Sequence, residues 1–199
     1  MRSSALSVLL LLASAALPAQ QYFPPAVLGR TPAEEQANAE WYTKHLKALH
    51  EPSLWELSRT DAKAEVYRFL WLRSFHHPIA VRLVVRPSGS GWLNARMTSG
   101  QGGYQTGRIS RYSKSWLTKA KTQSFLAAID SVNFWNTPTL EETGSAVHLD
   151  GAQWILEGVK GGQYHIVDRW SPESPDPIRD VGLLALRMAR FRIRRGEIY

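Results

Sequence analysis

The apolar positions of this chain change period along its length. Residues 5–13 are almost continuously apolar around four leucines at 9–12. From residue 32 the repeat is helical. Ala37, Trp41, His45 and Ala48 fall on one stripe, Thr31 can cap the helix, Pro32 suits its first turn and Glu34 can close a capping box. Pro52 ends that helix near residue 50, and a shorter one is expected over 53–59. Beyond residue 63 the period drops to two. Tyr67, Phe69 and Trp71 sit two apart, Ile79, Val81, Leu83 and Val85 alternate with Ala80, Arg82, Val84 and Arg86, and Leu93, Ala95 and Met97 alternate through 92–98. A short strand is expected near 107–112. A helix is expected over 115–134, with Leu126, Ile129 and Val132 as its core stripe. Two further strands, 153–159 and 163–170, flank Lys160-Gly161-Gly162, a short hairpin connection, and a last helix covers 178–192.

This order predicts an α+β fold: an antiparallel sheet of about five strands with helices mostly on one face. Residues 20–60 read as an extended leader, with Pro24-Pro25, followed by a helical segment. Residues 61–192 read as the α+β domain and 193–199 as a basic tail.

The first nineteen residues have the pattern of a secretory signal: Arg2, the apolar run, then small residues ending at Ala19. The run is shorter than the roughly 20 residues of a membrane span, and no cysteine follows it to carry a lipid. The expectation is an exported, periplasmic or secreted chain with no transmembrane segment once mature.

Composition narrows the chemistry. Of 199 residues 44% are hydrophobic and 21% charged, which excludes a disordered chain. There is no cysteine, so disulfides, thiol nucleophiles and iron–sulfur centres are excluded. The net charge of +7 is unevenly spread. Between residues 66 and 129 there is no Asp or Glu, against ten lysines and arginines. If the alternating apolar residues face the core, Arg82, Arg86, Arg96 and Trp92 share the opposite face; Arg68, one strand earlier, completes the set of candidates for binding an anion. Guanidinium groups suit bidentate contact with carboxylate or phosphate, and Trp adds a stacking surface. The implied partner is an anionic polymer or an acidic protein surface. Nucleic acid is not expected for an exported chain. The competing reading is a sheet face whose arginines pair with Glu157, Asp150, Asp168 or the acidic N-terminal helix.

No motif names an enzyme. His148, Asp150, His165 and Asp168, with Glu157, supply the residue types for metal binding or general acid–base work. In a strand, however, His165 and Asp168 point to opposite faces. Ser88 and Ser90 lie in Pro-Ser-Gly-Ser-Gly between strands, not in a nucleophile elbow. Gly100-Gln101-Gly102-Gly103 lacks the Gly-Lys-Ser/Thr ending of a phosphate loop. No catalytic residue, metal ligand or cofactor is assigned from the sequence.

Three segments carry a resemblance: residues 67–76 (YRFLWLRSFH), Phe134-Trp135-Asn136-Thr137-Pro138, and DGAQWILEG at 150–158 followed by 164–172 (YHIVDRWSP). Together they resemble a family of exported bacterial proteins of unknown function, across roughly residues 65–190. The resemblance implies an exported domain of the same element order and no activity. The expected function is therefore a non-enzymatic binding role through the basic sheet face, and the rival is an enzyme using the His148/Asp150/His165/Asp168 region.

Overall fold

The structure, a computed structural model, describes residues 20–141 and 150–199. The signal-like segment 1–19 and His148 lie outside the described residues. Helix α1 (Pro32–Ala48) begins as its sequence dictates. The Thr31 hydroxyl accepts from the Glu34 amide while the Glu34 carboxylate accepts from the Thr31 amide, a complete capping box with Pro32 in the first turn. Its buried face is Tyr42, His45 and Leu46. The stripe is thus rotated from the expected one, and Ala37 is exposed, because the larger rings and Leu46 bury more apolar surface than the alanines. Helix α2 (Leu54–Thr60) is capped by Ser53.

Strands β1 (Glu65–Arg73), β2 (Ile79–Val85), β3 (Gly91–Thr98), β4 (Ile109–Leu117), β5 (Ala152–Lys160) and β6 (Gln163–Trp170) form one antiparallel sheet in the order β4-β3-β2-β1-β5-β6. Helix α3 (Lys119–Ser131) follows β4, and α4 (Pro177–Met188) follows β6. The sheet therefore has six strands rather than five. Residues 115–117 are strand, not the start of a helix, because β4 pairs with β3 along its whole length, placing Trp116 opposite Trp92. Helix α3 starts only after Thr118, whose hydroxyl accepts from the Lys121 amide. The β5–β6 connection is a two-residue turn in which Gly161 and Gly162 both take positive φ, 60° and 77°.

The expected one-sided helix layer is replaced by helices on both faces. On one face Tyr67, Phe69, Trp71, Val81, Leu93 and Trp154 pack under α3 and α4 through Phe125, Ile129, Val181 and Ala185. On the other, Leu70, Leu72, Ala80, Ile155 and Ile166 pack under α1 and the leader through Tyr22, Phe23, Leu28, Tyr42, Leu46 and Leu49. Leu54 of α2 completes that layer against Val66 and Val159. The physical reason lies in β1 and β5, which are apolar on both faces and so need cover on both. Residues 20–60 form this second layer. The basic tail also folds back: the Trp154 indole donates to the Tyr199 carbonyl (2.9 Å), and Arg73 lies 3.5 Å from the Glu197 carboxylate. Among the described residues no helix is long and apolar enough to cross a membrane.

Candidate functional site

Strand register aligns the polar residues of the leader-covered face into rungs across the sheet. One rung reads Glu157 (β5), Arg68 (β1), Arg82 (β2), Asn94 (β3) and Lys114 (β4). The flanking rungs end in Trp92 and Trp116 on one side and in Arg96 and Tyr112 on the other. The alternation read from the sequence thus holds: Arg68, Arg82, Trp92 and Arg96 share one face. What it could not show is the cover over them.

Arg68 is fully buried. Its Nε and NH2 donate to the two Glu157 oxygens at 2.7 and 2.8 Å, and NH1 donates to the Pro52 carbonyl at 2.6 Å. Burial alone would lower its pKa, but Glu157 and Glu51 outweigh that and hold it above its ordinary value. Burial pushes the Glu157 carboxyl up, and Arg68 together with the Tyr164 hydroxyl, which donates at 3.0 Å, pulls it back. Glu51, buried between α1 and α2, accepts from Arg82 Nε at 2.6 Å with one oxygen and from Arg96 NH1 at 2.7 Å with the other; Arg68 NH1 lies 3.7 Å away. The His50 carbonyl takes a further bond from Arg96. So Arg68, Arg82 and Arg96 are met by carboxylates from elsewhere in the same chain. Arg68 is closed to any partner, and the Arg82 and Arg96 side chains are only 15% and 19% exposed. Glu51 was not foreseen. Its signal in the sequence was an acid beside the helix-ending Pro52, ahead of a stretch with none.

The open part of this face lies toward the β4 edge. Trp92 and Trp116 meet edge to face at 5.1 Å. Lys114 Nζ stands 4.8 Å over the Trp92 ring, Arg86 Cζ 5.5 Å from the Trp116 ring, and Arg96 Cζ 5.2 Å from the Tyr112 ring. Tyr112 is 52% and Trp116 46% exposed. No carboxylate pairs with Arg86 or Lys114 among the described residues. Trp92, Arg86 and Arg96 are the expected residues here; Tyr112, Lys114 and Trp116 join them because β4 runs past the expected strand end at 112 to Leu117 and pairs with β3 throughout.

His148 lies outside the described residues, and the other residues of the enzymatic reading are dispersed. His165 faces the α3/α4 side, edge to face with Phe134 at 5.0 Å, with Nε2 2.9 Å from the Thr137 carbonyl. Asp168 faces the other side, 2.6 Å from the Tyr42 hydroxyl. Glu157 is engaged by Arg68, and Asp150 is exposed. No group of three His, Asp or Glu side chains suited to a metal ion occurs among the described residues. Burial pushes the Asp168 carboxyl up to about 7. The Tyr42 hydroxyl donates to one Asp168 oxygen at 2.6 Å, and the Gln153 amide nitrogen, turned toward the carboxyl, donates to the other at 3.2 Å. This network locks α1 to the sheet.

The three segments of the resemblance meet in the core. Phe134 lies 6.3 Å from Tyr67 and covers Gly158, where an added Cβ would sit 2.6 Å from its ring. They therefore encode packing. No family model matches this chain, and no curated protein is significantly similar to it.

Proposed function

We propose that the chain is an exported, non-enzymatic binding domain that takes an acidic polysaccharide on the open β3–β4 end of its sheet. One observation carries this reading: Arg86, Arg96 and Lys114 are interleaved with Trp92, Tyr112 and Trp116 on a surface where, among the described residues, no carboxylate pairs with Arg86 or Lys114. Sugar rings stack on exposed indole and phenol faces, and uronate carboxylates accept from guanidinium and ammonium groups. An acidic protein would use the cations but gain little from a row of rings. The signal-like first nineteen residues fit a chain that meets such polymers outside the cytoplasm. Arg68 has no part in this contact, and Arg82 acts only by holding Glu51 in place.

Retention of the chain on immobilised polygalacturonate, measured against added salt, tests the proposal. Binding that weakens with salt, is lost in Lys114→Glu and falls about tenfold in Trp116→Ala supports it. Equal retention on a neutral glucan, or retention unchanged by both substitutions, overturns it.

A further inference from the structure

The other side of β4 carries a second, chemically different feature. Ser115 and Leu117 point away from the open face, toward α3 and α4, and there they help line a groove of about 410 Å³. That volume lies within the roughly 300–1,000 Å³ of small-molecule sites. Its floor is apolar: Leu117 is buried, and Leu184 and Met188 of α4 are half-buried. Its rim is cationic, with Lys121 from the first turn of α3, Arg187 from the last turn of α4 and Arg190 just beyond it, all exposed. No Asp or Glu lines it, and none of the three cations pairs with a carboxylate among the described residues.

We infer that this groove binds a single-chain anionic amphiphile, an alkyl carboxylate whose tail lies on Leu117, Leu184 and Met188 and whose head sits among Lys121, Arg187 and Arg190. The charge pattern selects this occupant. A small free anion gains only the rim, where solvent screens each contact. A neutral alkyl chain gains only the floor and leaves three like charges facing one another. An alkyl carboxylate removes apolar surface from water and relieves that repulsion in the same step. The inference does not rest on the polysaccharide reading, whose cations lie on the opposite face of β4, although Trp116 at this edge strand lines the groove as well.

Titration calorimetry of the full chain with decanoate, kept below its micellar concentration, tests it. Decyl glucoside and acetate serve as tail-only and head-only probes. Saturable decanoate binding, with both controls at least about tenfold weaker, is expected. The double variant Arg187→Ala/Arg190→Ala and the groove-filling Ser124→Trp, at an exposed lining position, each weaken it by about tenfold or more while leaving polygalacturonate retention unchanged. Absence of saturable binding, a control that matches decanoate, or decanoate binding that survives either variant overturns the inference. Should a variant not fold, amide-shift changes on adding decanoate to the wild-type chain decide: confinement to 115–124 and 184–190 supports the site, and any other distribution removes it.

Discussion

Arg68 and Glu157 stand directly opposite one another on β1 and β5, and their side chains close a two-point ion pair at 2.7 and 2.8 Å with neither exposed to solvent. The pair lies mid-sheet, beneath Pro52 and Tyr164, whose carbonyl and hydroxyl take up remaining hydrogen-bonding capacity. Breaking it by Glu157→Ala leaves the guanidinium with the Pro52 carbonyl and, among the described carboxylates, the more distant Glu51. The expected loss is about 3–5 kcal/mol in denaturant unfolding. The joint replacement Arg68→Met/Glu157→Leu removes both charges and is expected to cost much less than the single change. Equal losses would show that volume, not charge, decides the site.

Glu51 is the second pivot. Its two oxygens bind arginines from different strands, so the turn between α1 and α2 is fixed to the sheet by charge as well as by Leu49 and Leu54. Glu51→Gln is expected to lower stability by about 2 kcal/mol, since buried charge-assisted bonds become neutral ones. Glu65→Gln is the control. That acid pairs at 3.1 Å with Lys160, which is 57% exposed, and the change should cost less than about 1 kcal/mol. Comparable unfolding midpoints for the two variants would refute the assignment.

Asp168 and His45 contribute to the pH dependence with opposite signs. Asp168 has a folded pKa of about 7 against an ordinary 3.8, so its contribution is complete below pH 3.8 and is lost as pH rises through 7. His45 is buried; burial, with the nearby Lys44 charge, lowers its pKa from 6.5 to about 4 against a raising contribution from the Gly102 backbone. Its contribution is complete above pH 6.5 and is lost as pH falls through 4. Between these limits the two slopes oppose, so the melting temperature is expected to be nearly flat from pH 6.5 to 4 as far as these groups govern it. Asp168→Asn exposes the histidine term, and melting then falls on acidification. His45→Gln exposes the aspartate term, and melting then rises. Thermal melts across that range read both signs directly.

Gly158 is held to its size by Phe134. An added Cβ meets the ring at 2.6 Å and the Tyr67 ring at 3.1 Å. Gly158→Ala is expected to cost about 1–3 kcal/mol by overpacking. Phe134→Leu in the same chain should recover part of that loss, measured as a non-additive double-mutant cycle.

Much of the local architecture was already legible. The Thr31/Glu34 capping box, the strand alternation through 79–85 and the Gly161-Gly162 turn each depend on neighbours within four residues, so the chain itself specifies them. Period two also placed Arg68, Arg82, Trp92 and Arg96 on one face, and His165 opposite Asp168, because side-chain direction in a strand follows from parity alone.

Parity does not say what lies above a face. The helical second layer exists because β1 and β5 are apolar on both sides, and only the register that set them side by side turned that into a demand for cover. Glu51 found Arg82 and Arg96 across separations of 31 and 45 residues, a pairing that no local pattern encodes. The same packing determined which cations remained available. Those under the α1–α2 turn were neutralised within the chain, while Arg86 and Lys114, beyond its reach near the β4 edge, were left beside the exposed Trp116 and the half-buried Trp92. Amino-acid order determined the supply of positive charge and the side of the sheet it occupies; long-range strand pairing and helix docking decided how much of it meets solvent.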